Sequence, residues 1–369
     1  MTVLIITEPD DIHAVLVHLA LEKKGYESRL FFSADMPSIQ KNNLYFSNEY
    51  NSWTTIIDEN PNIEWNTKNI ESIWWRRPRR PHLPKYIHED DKSFVHKENS
   101  IYHDSIPYML NSDSWWVNPI ESTYKTRSKI TQLKLAQKCG FKLPETLISN
   151  SPEDIKNFIN NSNKEAVIYK PFAPHHWADD DGMKLLYTDK VTLNDLPSDQ
   201  MLQVVPGIYQ KYVEKQFELR VTCFGSHISA VKIHSQQHVQ GQTDGRKIPG
   251  VELALSPYDL ERPIKAKIIQ YMKKMGVVFG CFDFIVTPDN EIIFLELNEQ
   301  GQFLWVEDRL PELCYMDMFA EFLMQKRFDF AWSLSSCTLS TKDFDDKAQK
   351  ICAENIQKHV YLNEVKRVA

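Results

Sequence analysis

Three side chains with oxygen donors stand inside two apolar runs of the stretch 280–301. Asp283 interrupts the first run, and Glu296 and Asn298 interrupt the second. The residues between the runs, 287–290, have the composition of a tight turn. The pattern therefore predicts two neighbouring strands that carry polar groups within an otherwise apolar surface.

The alternation of side chains along a strand decides what these groups can do. Glu296 and Asn298 should project from one face, and Leu295 and Leu297 from the other. Two carboxylates and one amide oxygen on neighbouring strands form an all-oxygen set, which magnesium prefers. Without a cation, the two like charges would repel each other and one acid would be protonated. We predict that Asp283 joins Glu296 and Asn298 in binding Mg²⁺.

Positive side chains elsewhere in the chain could complete this site. Lys170 ends a β-branched run directly before a proline, which places it at the end of a strand, where open sheets bind ligands. Lys129 begins a predicted helix, where it could equally be a solvated surface lysine. Glu218 and Arg220 share one face of a further predicted strand.

This combination of lysines, an arginine and a magnesium site favours chemistry on a nucleoside triphosphate. Lysines neutralise phosphate oxygens, and arginine stabilises the charge that develops on a transferred phosphoryl group. The patterns Gly-x-x-x-x-Gly-Lys-Ser/Thr and Gly-x-Gly-x-x-Gly are both absent. The phosphates must therefore be held in another way, and dinucleotide binding is not supported.

Four arginines surround a pair of tryptophans in the segment 72–81. Arg76 and Arg77, together with Arg79 and Arg80, could bind phosphate or acidic side chains through bidentate hydrogen bonds. Alternatively, the segment is a strand edge whose arginines pair with acids of the chain, which carries a formal charge of −7. The sequence leaves both alternatives open.

A polar loop at 173–182 contains two adjacent histidines, His175 and His176, and three aspartates at 179–181. Histidines and carboxylates are ligands of transition metals. Adjacent histidines without a spaced carboxylate partner are poor evidence for such a site, however. We expect a mobile loop here.

Length and composition define the class of protein. The chain has 369 residues, of which 42% are hydrophobic and 25% charged, which predicts a globular protein of two or three subdomains. The acidic balance argues against a general nucleic-acid binder. No apolar run approaches the ~20 residues that span a bilayer, and the N-terminus lacks the features of a signal peptide. Six scattered cysteines without a CxxC pair predict reduced thiols in a cytoplasmic protein.

Periodicity predicts the elements that carry these residues. The N-terminus reads as a βαβ unit and hence a parallel sheet, with Asp10 or Asp11 capping its helix and Gly25 ending it. Helices are predicted over 129–138, 263–275 and 315–325, with a peripheral helix in the tail. Strands are predicted over 166–172, 202–205, 209–213, 218–224 and 227–233.

The order of these motifs resembles the ATP-grasp superfamily. The matching elements are Asn118-Pro119, Lys129 at a helix start, Lys170-Pro171, the hinge 210–213, Glu218-Leu-Arg220, Asp283 and Glu296-Leu-Asn298. Trp74-Trp-Arg-Arg-Pro78 and Gly301-Gln-x-x-Trp305 are similar to motifs of the RimK-like branch, and more narrowly of the peptide maturases that make graspetides (microviridin-type ligases). The resemblance covers about residues 1–325.

The resemblance implies an α/β fold with α+β subdomains. A pre-ATP-grasp βαβ domain would occupy 1–120, a central ATP-grasp subdomain 121–205 and a C-terminal ATP-grasp subdomain 206–332. The remaining residues, 333–369, would form a peripheral tail.

The resemblance also implies a role for each site residue. Residues that would bind ATP are Lys129 and Lys170 at the α- and β-phosphates, Gln210, Lys211, Tyr212 and Val213 around adenine, and Glu218 at the ribose. Arg220 would stabilise the γ-phosphate and an acyl phosphate, with Lys170 beside it. Asp283, Glu296 and Asn298 would ligate two magnesium ions. Asp244 and Arg246 fall where the maturases carry an Asp-x-Arg pair near the core peptide, and Arg76 and Arg77 are further candidates for binding substrate.

The function implied is ATP-dependent crosslinking of a precursor peptide. Graspetide maturases phosphorylate a side-chain carboxylate, and a hydroxyl or lysine amine of the same peptide then attacks it, giving an ester or amide. We therefore expect ATP and Mg²⁺ as cofactors and a peptide with leader and core as partner, without nucleic acid or membrane. The alternatives are a RimK-like ligase that adds an amino acid to a carboxylate, and a non-catalytic ATP- or peptide-binding regulator. The sequence leaves a homodimer open.

The chain departs from the family's pattern at two places. Glu299 follows the metal asparagine where related sequences usually have proline, which adds a charge near the metals. The phosphate-covering loop contains Gly182 as its one glycine, where many ATP-grasp loops are glycine-rich. Closure over ATP could therefore depend more on the bound partner.

Overall fold

The computed structural model describes residues 2–57, 63–65, 69–110, 113–162, 165–173, 176–179, 182–185, 188–238 and 253–362. For 51–57, 63–65, 176–179 and 182–185 it describes the backbone alone. Over these ranges the protein is a mixed α/β structure with five sheets. None of the helices in them is both long enough and apolar enough to span a bilayer.

Strands and helices alternate along much of the chain. The strands are β1 Thr2–Thr7, β2 Glu27–Phe32, β3 Gln40–Phe46, β4 Asn51–Ile57, β5 Ile63–Trp65, β6 Ile70–Trp75, β7 Trp115–Val117, β8 Thr146–Ser149, β9 Val167–Lys170, β10 His176–Asp179, β11 Gly182–Leu185, β12 Asp189–Val191, β13 Gly207–Lys211, β14 Phe217–Phe224, β15 His227–Ile233, β16 Leu255–Pro257, β17 Phe279–Val286 and β18 Ile292–Asn298. The α-helices are α1 Ile12–Lys23, α2 Glu89–Met109, α3 Ile120–Thr126, α4 Lys129–Lys138, α5 Pro152–Asn160, α6 Asp199–Val204, α7 Arg262–Met275, α8 Leu304–Arg309, α9 Tyr315–Gln325 and α10 Asp345–Lys358.

The N-terminal sheet has the order β2-β1-β6-β7, and each of its neighbouring pairs is parallel. The predicted βαβ unit is thus present. Strand β1 is apolar because both of its faces are covered. Val3 and Ile5 belong to the core that contains α1, whereas Leu4 and Ile6 pack with Ile106 of α2.

The start of α1 differs from its prediction in one respect. Asp11 occupies the N-cap position, but its carboxylate makes no capping hydrogen bond. It accepts instead from Thr7 Oγ1 at 2.7 Å and from Arg76 Nε at 3.1 Å. The acid is therefore used in a tertiary contact. Gly25, with φ +80°, follows the end of the helix as predicted.

A central antiparallel sheet of order β12-β9-β13-β8 carries α5 and α6 on one side. The strand predicted over 202–205 is wrong, because these residues belong to or follow α6. Ser198 caps this helix by accepting a hydrogen bond from Met201 N at 3.4 Å. A short apolar run cannot distinguish strand from helix by itself, and the capping serine was the signal that decided the outcome.

The C-terminal sheet, of order β16-β15-β14-β17-β18, is antiparallel and carries most of the predicted acids. Helix α7, close to the helix predicted over 263–275, packs on it through an apolar stripe, of which Ile268, Tyr271, Met272 and Met275 are at most 1% exposed. Gly276, with φ +85°, ends the helix. This packing gives the acid-bearing strands a rigid support.

The tail is more closely integrated than the peripheral helix that was predicted. Ala348 and Cys352 of α10 belong to the core that contains α1. After the helix, His359 Nδ1 lies 2.6 Å from Asp35 Oδ2, and Tyr361 Oη donates to Asp10 Oδ2 at 3.1 Å. The segment 359–361 is therefore fastened to the residues that follow β1 and β2.

The prediction that all six cysteines are reduced thiols is wrong for two of them. Cys314 and Cys337 form a disulfide between the start of α9 and the segment before α10, with their Cα atoms 6.2 Å apart. Cys139, Cys223, Cys281 and Cys352 are free and buried. Spacing along the sequence could not reveal this bond, because the loop that the tail forms brings the two residues together.

Glu307 gives a prediction for the pH dependence of stability. Burial raises its pKa to about 7, with the Asp308 and Asp317 charges adding to the rise although the Met316 and Thr341 N–H groups donate to its carboxylate. The folded chain then holds a proton that the unfolded chain, with an ordinary pKa of 4.5, releases. The free energy of unfolding should therefore fall, by at most about 3 kcal/mol, as pH rises through this window.

Urea unfolding of the wild type and of Glu307→Gln between pH 5 and 8 checks this expectation. The substitution should flatten the decrease, whereas Glu312→Gln, which changes an exposed glutamate nearby, should leave it as it is. An equal pH dependence in all three proteins would contradict the assignment.

Candidate active site

The hairpin of β17 and β18 places two predicted acids opposite each other. Asp283 pairs with Glu296 across the antiparallel ladder. The register then shifts, because Phe284 pairs with Phe294 and leaves Leu295 as the extra residue. Such a bulge changes the direction of the side chains beside it. It interrupts the simple alternation predicted for this strand at the position before Glu296.

Arg220 lies on β14 directly beside Asp283, its neighbour on β17. Its Nη1 donates to the two carboxylate oxygens of Asp283 at 2.9 and 3.0 Å, and its Nη2 donates to the carbonyl of Gln302 at 2.8 Å. Only 11% of the side chain is exposed, so these charge-assisted bonds form in poorly solvated surroundings. Arg220 therefore fixes both the acid and the loop that follows β18.

Lys129 is brought to the same point by α4, which it begins as predicted. Gln132 attaches this helix to β18, since its Nε2 donates to Leu297 O at 2.9 Å and its Oε1 accepts from Leu297 N at 2.7 Å. Residues three apart lie on one face of a helix. Lys129 consequently faces Glu296, the residue of β18 adjacent to Leu297, and forms an ion pair with it. The alternative that Lys129 is a solvated surface lysine is therefore wrong.

The positive charges act unequally on the two acids. Burial raises the pKa of Asp283, and the Glu296 charge adds to the rise although Arg220 opposes it. Burial also acts on Glu296, but the ion pair with Lys129 and the charge of Lys170 outweigh it, so that its pKa is lowered. The hairpin therefore holds two close carboxylates whose repulsion is only partly relieved by the protein.

The donor set of the hairpin fits a magnesium ion. Asn298 Nδ2 lies 2.9 Å from Asp283 Oδ2 and 3.3 Å from Glu296 Oε1, and rotating the amide presents its oxygen instead. No cluster of three His, Cys, Asp or Glu side chains occurs in the described part of the chain. Two carboxylates completed by phosphate oxygens are a usual set for Mg²⁺. The acids remain open to such a ligand, with 27% and 35% of their side chains exposed.

The strands that lead to the hairpin carry two further predicted residues. Lys170 ends β9 and lies close enough to Glu296 for their charges to interact. Glu218 lies on β14, and its charge likewise reaches Asp283. Its carboxylate accepts hydrogen bonds from Lys215 Nζ at 2.5 Å and from a serine hydroxyl at 2.8 Å. The structure thus brings both residues close enough to the paired acids for their charges to interact.

The hinge residues lie at the end of β13 and just after it. Gln210 is 3% exposed, and its Oε1 is buried without a hydrogen-bond partner. The backbone N–H of Lys211 donates to Glu145 O at 2.9 Å, and that of Tyr212 to a neighbouring carbonyl at 2.7 Å. Val213 follows. A buried acceptor without a donor is unfavourable, so the amide of Gln210 is suited to a ligand that donates a hydrogen bond.

Arg76 lies in the interior of the protein, whereas a substrate-binding residue was expected to be accessible. Its side chain is fully buried, with Nε donating to Asp11 at 3.1 Å and Nη1 donating to the carbonyls of Gln300 and Gly301. The guanidinium is therefore enclosed by the protein and does not reach a substrate. For Arg76 the structure favours the alternative in which the arginines of this segment pair with the chain's own acids.

The neighbouring arginines make ion pairs as well. Arg77 and Arg79 share the carboxylate of Glu8, with Arg77 Nη1 donating to it at 2.6 Å. Arg80 pairs with Asp104 at 2.6 Å. Arg77 nevertheless keeps 28% of its side chain exposed, so its contact with substrate stays a prediction.

Asn118 holds the start of β17 and the loop after β18 together. Its Oδ1 accepts from Val278 N at 2.7 Å and Phe279 N at 2.8 Å, and its Nδ2 donates to Phe279 O and Glu299 O, both at 2.9 Å. One buried amide thus satisfies four backbone groups. Together with Arg76 and Arg220, it determines the path of the loop that follows the acids.

Glu299, the unusual residue of this loop, is only partly exposed. Burial raises the pKa of its partly buried carboxyl group, while Arg127, Lys129 and the Thr126 hydroxyl act in the opposite direction. The additional charge predicted near the metals is therefore opposed by two basic residues.

Some predicted residues lie outside the described part of the chain. These are Asp244 and Arg246, together with His175 and two aspartates of the polar loop. For His176 and Asp179 the structure describes the backbone alone, in β10 and its pairing with β11. Their roles remain predictions.

Comparison with known proteins identifies the family. The model of the MvdD pre-ATP grasp domain matches residues 2–124, whereas curated proteins gave no match. The solved macrocyclase MdnC from Microcystis aeruginosa MRC, bound with the precursor peptide MdnA, is 30% identical to this chain. The match covers 89% of this chain and 100% of MdnC, with a TM-score of 0.76. The chain belongs to the ATP-grasp macrocyclase family.

A second relative agrees with this assignment. The RiPP-associated ATP-grasp ligase of Chryseobacterium gregarium, solved with ADP and a leader and core peptide, is 26% identical, with a TM-score of 0.78. The match covers 92% of this chain and 99% of that ligase. Macrocyclase MdnB from M. aeruginosa MRC, at 24% identity, shares the fold with a TM-score of 0.73. The predicted ATP-grasp fold with a pre-ATP-grasp domain is confirmed, whereas the domain boundaries and the roles of the site residues stay predictions.

In this ATP-grasp ligase, the residues that the sequence did not reveal are those that hold the elements carrying the candidate site residues in place. Gln132 was not singled out, Asp11 was considered only as a helix cap, and Asn118 was noted only as part of a motif. Burial is the signal that the three side chains share, since each is 2% exposed. In the sequence, nothing about the single glutamine on the helix that carries Lys129 indicates that its side chain is buried.

Proposed function

We propose that this ATP-grasp ligase uses ATP and Mg²⁺ to form crosslinks within a ribosomal precursor peptide. The observation that carries the proposal is the convergence of Lys129, Lys170 and Arg220 on the paired acids Asp283 and Glu296. The relatives support the peptide substrate, since MdnC was solved with a precursor peptide and the C. gregarium ligase with ADP, leader and core.

The nucleotide would lie between the central sheet and the C-terminal sheet. Lys129 and Lys170 would neutralise the α- and β-phosphates. The unpaired Oε1 of Gln210 would accept a hydrogen bond from the adenine amino group, beside Lys211, Tyr212 and Val213 of the hinge. Glu218 would bind the ribose.

Asp283, Glu296 and Asn298 would hold the magnesium ions. When bound, Mg²⁺ neutralises phosphate charge and relieves the repulsion between the two carboxylates. The ion pair of Lys129 with Glu296 would then rearrange, which frees the lysine for phosphate.

The reaction has two steps. A side-chain carboxylate oxygen of the peptide attacks the γ-phosphorus of ATP, the bond to the bridging oxygen breaks, and ADP leaves with that electron pair. A hydroxyl oxygen or amine nitrogen of the same peptide then attacks the carbonyl carbon of the acyl phosphate. Phosphate leaves, and the proton of the nucleophile passes to solvent. Arg220, held beside Asp283, stabilises the negative charge that develops on the transferred group.

Incubation of the full-length protein with ATP, Mg²⁺ and the precursor peptide encoded beside its gene tests the proposal. The peptide mass should fall by one water for each crosslink, and one ADP should be released each time. An increase in peptide mass would indicate a ligase that adds amino acids. Nucleotide binding without ADP release would indicate a regulator, and either result would refute the proposal.

Further features remain part of this proposal. Asp244 and Arg246, with Arg77, would contact the core peptide, and a leader segment would dock on the central subdomain. We also propose that the protein acts in the cytoplasm, without nucleic acid or membrane, which makes the Cys314–Cys337 disulfide an exception among proteins of that compartment. Measuring the mass of the protein in solution will show whether it forms a homodimer.

A further inference from the structure

The loop that joins β18 to α8, residues 299–303, is held by side chains from three other parts of the chain, and we call it the clamped loop. Its first four carbonyls accept hydrogen bonds in turn. Asn118 donates to the carbonyl of residue 299, Arg76 to those of residues 300 and 301, and Arg220 to that of residue 302. The loop lies outside helices and strands, so these donors determine its path.

Arg76 connects the clamped loop with the N-terminal sheet. It follows β6, and its backbone N–H donates to Ile6 O of β1 at 3.0 Å. Its Nη1 donates to the carbonyls of Gln300 and Gly301, the latter at 3.3 Å. In the opposite direction, Gln300 Nε2 donates to Trp75 O at 3.3 Å. The end of β6 and the loop therefore each donate hydrogen bonds to the other.

The guanidinium group of Arg76 is itself fixed in position. The side chain is fully buried, and its Nε donates to Asp11 Oδ2 at 3.1 Å, an oxygen that also accepts from Thr7 Oγ1 at 2.7 Å. The guanidinium carbon lies 5.4 Å from the centre of the Trp74 ring. Moving away from these partners would leave buried charges uncompensated, which is costly. Arg76 is therefore a rigid support for the loop.

The clamped loop also passes very close to β17 and to Arg220. A Cβ atom on Gly301 would lie 2.6 Å from Cys281 Sγ and 3.1 Å from Arg220 Nη2. Atoms at such distances would overlap, so one of the groups would have to move. Cys281 is buried and pairs with Asn298 across the hairpin. A displacement of the loop therefore changes its contacts with Arg220.

Arg220 connects the clamped loop with the paired acids. Its Nη2 donates to Gln302 O at 2.8 Å, while its Nη1 donates to both carboxylate oxygens of Asp283. A guanidinium group is planar and rigid, so the position of one contact determines the direction of the other. The carbonyl of Gln302 directly follows the two carbonyls that Arg76 holds. Arg76 thus determines, through the loop, how the fork of Arg220 is oriented.

We propose that Arg76 is a positioning residue for phosphoryl transfer and that it acts through the clamped loop on Arg220. This inference rests on the proposed function, in which Arg220 stabilises the charge on the transferred group. Arg76 is enclosed by the protein and does not reach a substrate. A misplacement of about 1 Å at a reacting group can lower a rate about a hundredfold. The N-terminal domain thereby contributes to the reaction, although Arg220 and the acids lie on the C-terminal sheet.

Steady-state kinetics of Arg76→Lys with ATP, Mg²⁺ and the precursor peptide test the proposal. Lysine keeps the charge beside Asp11 but lacks the fork that holds this acid and the loop carbonyls at once. We expect kcat to fall about tenfold to a hundredfold, while KM for ATP and for the precursor stay unchanged. A wild-type kcat in Arg76→Lys would overturn the inference.

Lys24→Gln is the control for a loss of stability alone. It breaks an ion pair of Lys24 with Asp317, at 2.8 Å and only 11% exposed on the lysine side, which involves no residue of the clamped loop. The free energy of unfolding should fall in this variant, whereas kcat should stay at the wild-type value. A fall of kcat in Lys24→Gln as large as in Arg76→Lys would assign Arg76 a merely structural role and overturn the inference.

The double variant Arg76→Lys/Arg220→Lys tests whether Arg76 acts through Arg220. If it does, adding Arg76→Lys to Arg220→Lys should lower kcat further by less than about threefold. Independent effects would multiply, and that result would overturn the inference. Gly301→Ala displaces the loop but keeps both arginines, so it should lower kcat as well. Should Arg76→Lys fail to fold, a wild-type kcat in Gly301→Ala would equally overturn the inference.

Hydrogen exchange of the backbone amides of the clamped loop gives a readout that does not depend on activity. Measured by mass spectrometry on the full-length protein, exchange over 299–303 should be faster in Arg76→Lys and unchanged in Lys24→Gln. Unchanged exchange in Arg76→Lys would overturn the inference. If the wild type leaves the precursor mass unchanged, the proposed function fails, whereas the exchange experiment still decides whether Arg76 holds the loop.

Discussion

Replacing Glu296 by glutamine is expected to lower the rate of ADP release by about a hundredfold to a thousandfold, the range found when a single group that stabilises transition-state charge is removed. The amide keeps the shape of the side chain but carries no charge, so it binds magnesium poorly. It also removes the ion pair with Lys129. The fold should persist, because Gln132 and not Glu296 attaches α4 to β18.

Glu291→Gln is the matched control for this variant. Glu291 lies at the turn of the same hairpin, is exposed, and pairs with Lys142. Both variants should unfold at nearly the wild-type temperature, and only Glu296→Gln should lose ADP release and peptide crosslinking. Full activity of Glu296→Gln at low magnesium concentration would show that this carboxylate is not a metal ligand.

A second large effect is expected at Arg220. Lysine keeps the positive charge but lacks the planar fork that contacts Asp283 and the Gln302 carbonyl at once. We expect kcat to fall by about a hundredfold or more, with a smaller change in KM for ATP. In Arg220→Met the partly exposed Asp283 carboxylate loses its partner, so the free energy of unfolding should also fall, by about 1–3 kcal/mol.

Arg327→Lys provides the comparison, because Arg327 forms an exposed pair with Asp329. Exposed pairs contribute little, so this change should alter neither rate nor stability measurably. ADP release is followed by a coupled assay, and stability by denaturant unfolding. If Arg220→Lys retained the wild-type kcat, the charge alone would suffice and the fork would have no catalytic role.

The elements that carry several candidate residues were predictable from short-range periodicity, whereas the roles of these residues came from the resemblance to the ATP-grasp superfamily and stay predictions. Glu296 and Asn298 stand two residues apart on a strand, and Lys129 begins a helix, so neighbouring residues already indicate their directions. The predicted helix over 315–325 also agrees with α9 in both bounds. These are properties of one element at a time.

The features that sequence did not reveal depend on contacts between distant elements. The bulge at Leu295 arises from the pairing of two strands, and the burial of Arg76 arises from the loop that passes over it. The disulfide of Cys314 requires the tail to return to α9. No local pattern specifies which partner a buried polar group will find.

The fastening of the tail has a consequence for how the chain assembles during synthesis. Asp10 and Asp35 leave the ribosome early, yet their partners Tyr361 and His359 follow 351 and 324 residues later. Contacts of such long range form late. Until then one face of α1, which α10 covers, remains apolar and uncovered. The N-terminal domain of the nascent protein therefore exposes part of its apolar core until the residues of α10 have been synthesised.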